Sequence, residues 1–149
     1  MNKCNSIIRL NGKSIDGNNT CCLGIQLVLI LEAIYESIKD SVWVVSDLND
    51  NCGISGELFP NNNSEICIIS NTNELLLKIR KVNQFYSGVF IAIGRDIRRL
   101  PKSIPETDEE EGIQIEESVL EIRAFDTSYF EVYSNAINVE ILKQKFKIN

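Results

Sequence analysis

TCCLGIQLVLILEAIYESIK (residues 20–39), followed almost at once by VWVV (42–45), is the stretch that decides the fold. Leu23, Leu27, Ile30, Leu31, Ile34 and Ile38 recur at helical spacing and Asn19 or Thr20 can cap the start, so a helix is predicted from about Thr20 to Lys39. Its polar edge, Gln26, Glu32, Glu36 and Ser37, is narrow, which requires most of the cylinder to be covered by a sheet or by other helices. The β-branched and aromatic residues at 42–45 then predict a strand leaving the core.

Working outward, residues 5–10 have short strand character and run into the turn signal Asn11-Gly12. On the other side, Asp47 to Gly53 is turn-rich, Glu57-Leu58-Phe59 is a short strand stopped by Pro60, and Glu65 to Ser70 is a buried strand. Asn71 with Glu74 makes a capping box for a helix over Thr72 to Gln84. Its apolar positions Leu75, Leu76, Ile79 and Val82 share one face, with Lys78, Arg80 and Lys81 pointing away. Phe85 to Ile93 is the next strand. The alternating runs Leu120–Phe125 and Ser128–Tyr133 form a hairpin across Asp126-Thr127, and Val139 to Lys147 is a closing amphipathic helix. The predicted architecture is one α+β domain over residues 1–149, with a mixed or mainly antiparallel sheet and about three packed helices.

Chemistry is constrained mainly by what is missing. The chain has no histidine, which removes the usual general base, the Ser-His-Asp and Cys-His nucleophile systems and most catalytic zinc sites. Cys4, Cys21, Cys22, Cys52 and Cys67 are odd in number and lack C-x-x-C spacing, so they are expected to be reduced, mostly buried thiols in a reducing compartment. Gly12-Lys13-Ser14 resembles the end of a phosphate-binding loop, but Ile7 stands where that loop needs its first glycine, and the segment is read as a turn. Asp47 to Gly53 resembles half of a calcium loop, with Cys52 and Leu58 at the positions that require glycine and glutamate. Asn18 and Asn62 sit in glycosylation sequons that carry no weight in a reduced protein. No cofactor and no metal is predicted. The longest apolar stretch, Leu23 to Leu31, is too short for a membrane span and unlike a signal peptide, so a cytoplasmic location is expected.

The segment at about 94–117 departs from the pattern. Arg95, Arg98, Arg99 and Lys102 are followed by Glu106, Asp108, Glu109, Glu110, Glu111, Glu116 and Glu117, within a chain of formal charge −6. That balance argues against direct nucleic-acid binding and favours a basic protein partner. The bland alternative is a solvated loop whose opposite charges compensate one another. Core packing is the bland reading for each of Trp43, Tyr129, Phe130 and Tyr133. Alternation puts Phe130 and Val132 on one face of the C-terminal hairpin and Tyr129, Glu131 and Tyr133 on the other, and the alternative is that this second face presents Tyr and Glu to solvent or to a partner.

The ending Asp126-Thr-Ser-Tyr-Phe-Glu-Val-Tyr-Ser, leading into the helix around Val139 to Phe146, resembles the ends of small bacterial α/β proteins of toxin-immunity families. The resemblance implies a cognate inhibitor that occludes a basic toxin domain by steric and electrostatic blockade. The partner-binding residues would then be the seven acids from Glu106 to Glu117 with Tyr129, Glu131 and Tyr133, and the protein would not be an enzyme. A regulatory or adaptor subunit of a bacterial assembly needs the same features, and an unfamiliar carboxylate-based enzyme is a third class.

Overall fold

Among the described residues, six strands form one sheet in the order β1-β6-β5-β4-β2-β3, and every neighbouring pair is antiparallel. The computed structural model describes residues 6–60, 65–94, 103–134, 137 and 139–147. The strands are β1 (Ser6–Leu10), β2 (Val42–Asp50), β3 (Ile66–Ile69), β4 (Phe85–Ile93), β5 (Ser118–Phe125) and β6 (Tyr129–Ser134). The helices are α1 (Gly12–Asp16), α2 (Gly24–Ala33), α3 (Tyr35–Ile38), α4 (Ser55–Leu58), α5 (Thr72–Ile79) and α6 (Glu140–Lys145). The chain is thus an α+β domain, with α2 packed between α5 and α6 on one face of the sheet. The connections through α2 and through α5 join strands that are not neighbours, while β2 and β3, joined through α4, pair antiparallel, so no parallel pair forms among the described strands.

The helix face is closed by ordinary apolar burial. Leu27, Ile30 and Leu31 of α2 meet Trp43, Phe90, Leu120, Ile122 and Phe130 of the sheet in one cluster. The Trp43 indole N–H donates to Thr72 Oγ1 at 2.9 Å, so the largest core side chain leaves no polar atom unpaired. Asn71 caps α5 as its sequence suggests, accepting from the Glu74 N–H at 2.8 Å. The β5–β6 hairpin turns through three residues between the paired Phe125 and Tyr129; Asp126 and Thr127 are both at positive φ (44° and 63°), as in a type I′ turn, and the Ser128 N–H closes the turn on the Phe125 carbonyl at 2.8 Å.

Several expectations are corrected. The predicted helix over 20–39 starts only at Gly24 and is interrupted at Ile34, because Cys22 adopts φ 63° and Leu23 forms a bridge to Gln84 before the helix begins. Gly24 is needed there, since a Cβ would lie 2.1 Å from the Val82 carbonyl oxygen. Gln26, expected on the polar edge, is fully buried; it accepts from the Leu23 N–H and donates to Asp16 and to the Thr20 carbonyl. Residues 12–16 form a short helix capped by Asn11 in place of a simple turn. Glu57-Leu58-Phe59 falls in or beside α4 and forms no strand. β2 runs on through Asp47 to Asp50, past the predicted turn, with a register irregularity between Ser46 and Asn49 and Asp47 at φ 53°. β3 is buried at Ile66, Cys67 and Ile69 as its apolar run predicts, although it lies at the sheet's edge with Ile68 46% exposed.

Candidate functional site

Among the described residues, the second face of the sheet carries no helix. Across it lie residues 103–117, a strap without regular secondary structure held by side chains of β2 and β5. Strand registry aligns those side chains into two rows. One runs Arg9, Glu131, Arg123, Val89, Ser46; the other runs Ile7, Tyr133, Glu121, Ile91, Val44. The β4 and β2 half is apolar and receives Ile115 from the strap. The β5 and β6 half is charged, and most of it is buried.

Arg123 is the centre of that half. It has no solvent exposure, and its guanidinium donates to Glu121 Oε2 at 2.6 Å and to three strap carbonyls: Glu109 at 2.7 Å, Glu110 at 3.1 Å and Gly112 at 2.6 Å. Glu121, equally buried, accepts from the Gln114 backbone N–H and side-chain amide, both at 2.8 Å. Gln114 in turn closes the strap on itself, accepting from the Glu106 N–H and donating to the Glu106 carbonyl. Ser46 Oγ donates to the Pro105 carbonyl, and Asp47 accepts from the Thr107 N–H. A planar cation with five donors suits a bend of converging carbonyls, which a point-charged lysine could not fill in the same way.

The flank is a second polar group. Arg9 forms an ion pair with Glu131 at 2.7 Å and lies over the Tyr129 ring, 4.2 Å from its centroid. The Tyr133 hydroxyl donates to Glu131, and Arg123 stacks 4.5 Å above the Tyr133 ring. Burial, aided by the hydrogen bond to Glu131, pushes the Tyr133 hydroxyl far above its ordinary value.

The predicted partner-binding residues therefore separate into two groups. Glu106, Asp108, Glu109, Glu110, Glu111, Glu116 and Glu117 are all exposed along the strap. Glu131 and Tyr133 are not; they are 4% and 0% exposed, because β1 pairs beside β6 and the strap and Arg9 cover that face. Only Tyr129 of that trio is partly open. The basic cluster Arg95, Arg98, Arg99 and Lys102 lies outside the described residues, as does Cys4.

Sequence reasoning missed Arg123, Glu121 and Gln114. The signal was present in Ser-Val-Leu-Glu-Ile-Arg-Ala-Phe: opposite charges two residues apart on one face of a strand that must sit inside the sheet. Elsewhere, a cleft of about 330 Å³ at the irregularity of β2 is lined by Asp47, Leu48, Glu65, Ile104 and Glu106. One Asp47 oxygen there is engaged by the strap. Asp50 serves the neighbouring turn: burial opposes its charge, but hydrogen bonds from the Ser55, Ile54 and Cys52 N–H groups outweigh this and hold its carboxyl below the ordinary range. Among the described residues, no group of three His, Cys, Asp or Glu side chains could hold a metal ion, and no helix is long and apolar enough to cross a membrane. Comparison of the chain with protein-family models, curated proteins and solved structures found no match.

Proposed function

We propose that the protein is a non-enzymatic, cytoplasmic protein-binding domain, and in its most concrete form an immunity-type inhibitor that blocks a basic bacterial toxin domain. The observation that carries this reading is the division of labour within the strap. Its carbonyls turn inward onto Arg123 while its carboxylates turn outward, so an acidic ridge is held on a fixed backbone before any partner arrives. Such pre-organisation lowers the entropy lost on association, and a single-signed ridge steers a basic partner toward it. Glu109, Glu110 and Glu111 at the bend supply most of that steering, with Glu116 and Glu117 beside them and Tyr129 as an aromatic contact at the flank. A carboxylate enzyme would have to use the Asp47 cleft, where the strap already occupies one of the carboxylate oxygens.

The test pairs this chain with the product of the neighbouring open reading frame, where that product carries a basic toxin domain. Co-expression should rescue growth, and stopped-flow association should be fast at low salt and fall steeply as salt rises. Glu109→Gln/Glu110→Gln/Glu111→Gln should slow association by about tenfold at low salt with a smaller effect on dissociation. Absence of both rescue and binding would remove the inhibitor reading. Binding with an unchanged on-rate would keep the inhibitor and remove the strap from its mechanism.

A further inference from the structure

Beyond the two rows under the strap, registry sets a third on the same face: Tyr129, Phe125, Ser87 and Asn49 follow one another across β6, β5, β4 and β2. The strap's hydrogen bonds to β5 stop one row short of it, at Arg123. Tyr129, Phe125 and Ser87 are partly open, and Asn49 is exposed.

The Tyr129 and Phe125 rings are stacked, with centroids 5.1 Å apart and planes 28° from parallel. On the β1 side, Arg9 lies over Tyr129 at 4.2 Å from its centroid while Glu131 anchors its charge at 2.7 Å. On the other side the pattern stops. Phe125 faces Ser87, a short side chain whose hydroxyl donates to the Asp47 carbonyl at 2.7 Å and accepts from the Asn49 amide at 3.1 Å. Among the described residues, no cation and no second ring besides Tyr129 meets Phe125. Its outer face therefore borders a slot floored by β4.

We infer that this slot takes an arginine side chain of the basic protein partner, the guanidinium stacked on Phe125 and its charge met by the carboxylates of the Glu109–Glu111 bend. The inference rests on the reading of the strap as a docking ridge for a basic protein, and adds which side chain that protein presents. Charge complementarity selects the occupant. Arg123, which holds the carbonyls of Glu109, Glu110 and Gly112, stands two residues before Phe125 on the same strand face, about 7 Å away, within the span of an arginine side chain. The field of the bend reaches this row: Arg9, held above its ordinary value chiefly by the hydrogen bond to Glu131, is raised further by Glu111. Arginine fits better than lysine, because a planar guanidinium stacks on a ring and still turns its edge to a carboxylate. Arg9 does both within this chain, with Tyr129 below it and Glu131 at its edge.

The test titrates the full chain at low salt with two blocked tripeptides, glycine-arginine-glycine and glycine-lysine-glycine, followed by NMR. Both carry one positive charge, so the acidic surface attracts them alike and the difference reports stacking. The arginine peptide should bind at least about threefold more tightly, with its δ-methylene protons shifted upfield by the ring. Phe125→Leu should weaken it about fivefold and abolish the shift, whereas Phe125→Tyr, which keeps a ring, should bind like the wild type. Equal affinity for the two peptides, an absent upfield shift, or a Phe125→Leu chain that binds like the wild type would overturn the inference, as would perturbations confined to the Asp47 cleft. The lysine comparison and the shift use the unaltered chain, so they decide even where Phe125→Leu does not fold. No toxin enters the titration, so a failed rescue and an empty slot are read separately.

Discussion

The two faces of one sheet are closed by opposite means. On the helix face, the packed helices supply apolar side chains, and closure depends on volume and shape. On the strap face, residues 103–117 can offer few apolar groups, chiefly Pro105, Ile113 and Ile115, because the segment is dominated by acids. Its main chain is fastened by a buried cation and a buried carboxylate. Hydrophobic burial is non-directional, so the helix face tolerates small shifts. Hydrogen bonds from a planar guanidinium are directional, so the strap face fixes the backbone it holds and leaves the side chains of that backbone free to face water.

The sharpest way to break this contrast is to remove the cation. Arg123→Met strands buried Glu121 and three strap carbonyls, and should cost about 3–5 kcal/mol in urea unfolding. The Gln114 amide should also lose hydrogen-exchange protection before the core strands do. A loss under about 1 kcal/mol would mean that the strap face is held by burial like the other. The matching change on the helix face, Leu27→Ala, should cost about 2–5 kcal/mol through a cavity, while Gln114 keeps its protection relative to the core.

Asp50 provides a control off both faces. Its carboxyl is held below the ordinary range, so the stability it contributes is complete above the unfolded-state value of about 3.9 and is lost as pH falls through the folded-state value. Asp50→Asn should therefore be destabilised by roughly 1 kcal/mol at neutral pH, and the gap from the wild type should close in strong acid. A gap that is unchanged in strong acid would show that the charge is not what matters. The smallest effect is expected at the ridge. Glu109→Gln/Glu110→Gln/Glu111→Gln should shift stability by no more than about 0.5 kcal/mol, because the carbonyls of Glu109 and Glu110 hold the strap to Arg123, and the exposed bond that Glu109 Oε1 accepts from the Glu110 N–H at 3.1 Å is one a glutamine amide oxygen can also accept. A thermal melt showing a larger loss would place the carboxylates in the fastening.

Several elements were legible because their signals are local. Asn71 with Glu74 announces a helix start, Phe85 to Ile93 is an uninterrupted strand run, and Asp126-Thr127 separates two alternating segments; each appears in the structure. The start of α2 was not legible, because it answers to partners distant along the chain, Gln84 and the Val82 carbonyl, and neither was the burial of Gln26, which depends on how the preceding loop brings Asp16 and the Thr20 carbonyl onto it. The acids from Glu106 to Glu117 were legible as charge, and their exposure follows from that. Glu131 and Tyr133 were assigned to an open face because alternation identifies which residues share a face, and says nothing of whether that face is covered.

The sequence by itself determined the apolar periodicities, the caps and turns, the absence of histidine chemistry and the acidity of one long segment, since each depends on residues close together in the chain. Only the tertiary structure decided the all-antiparallel order, the edge position of β3 and the route of the strap. These rest on pairings between distant segments, of which the contact of Arg123 with the carbonyls of 109–112 is the clearest: a buried charge dictates where a backbone must pass only once the sheet has brought the two together.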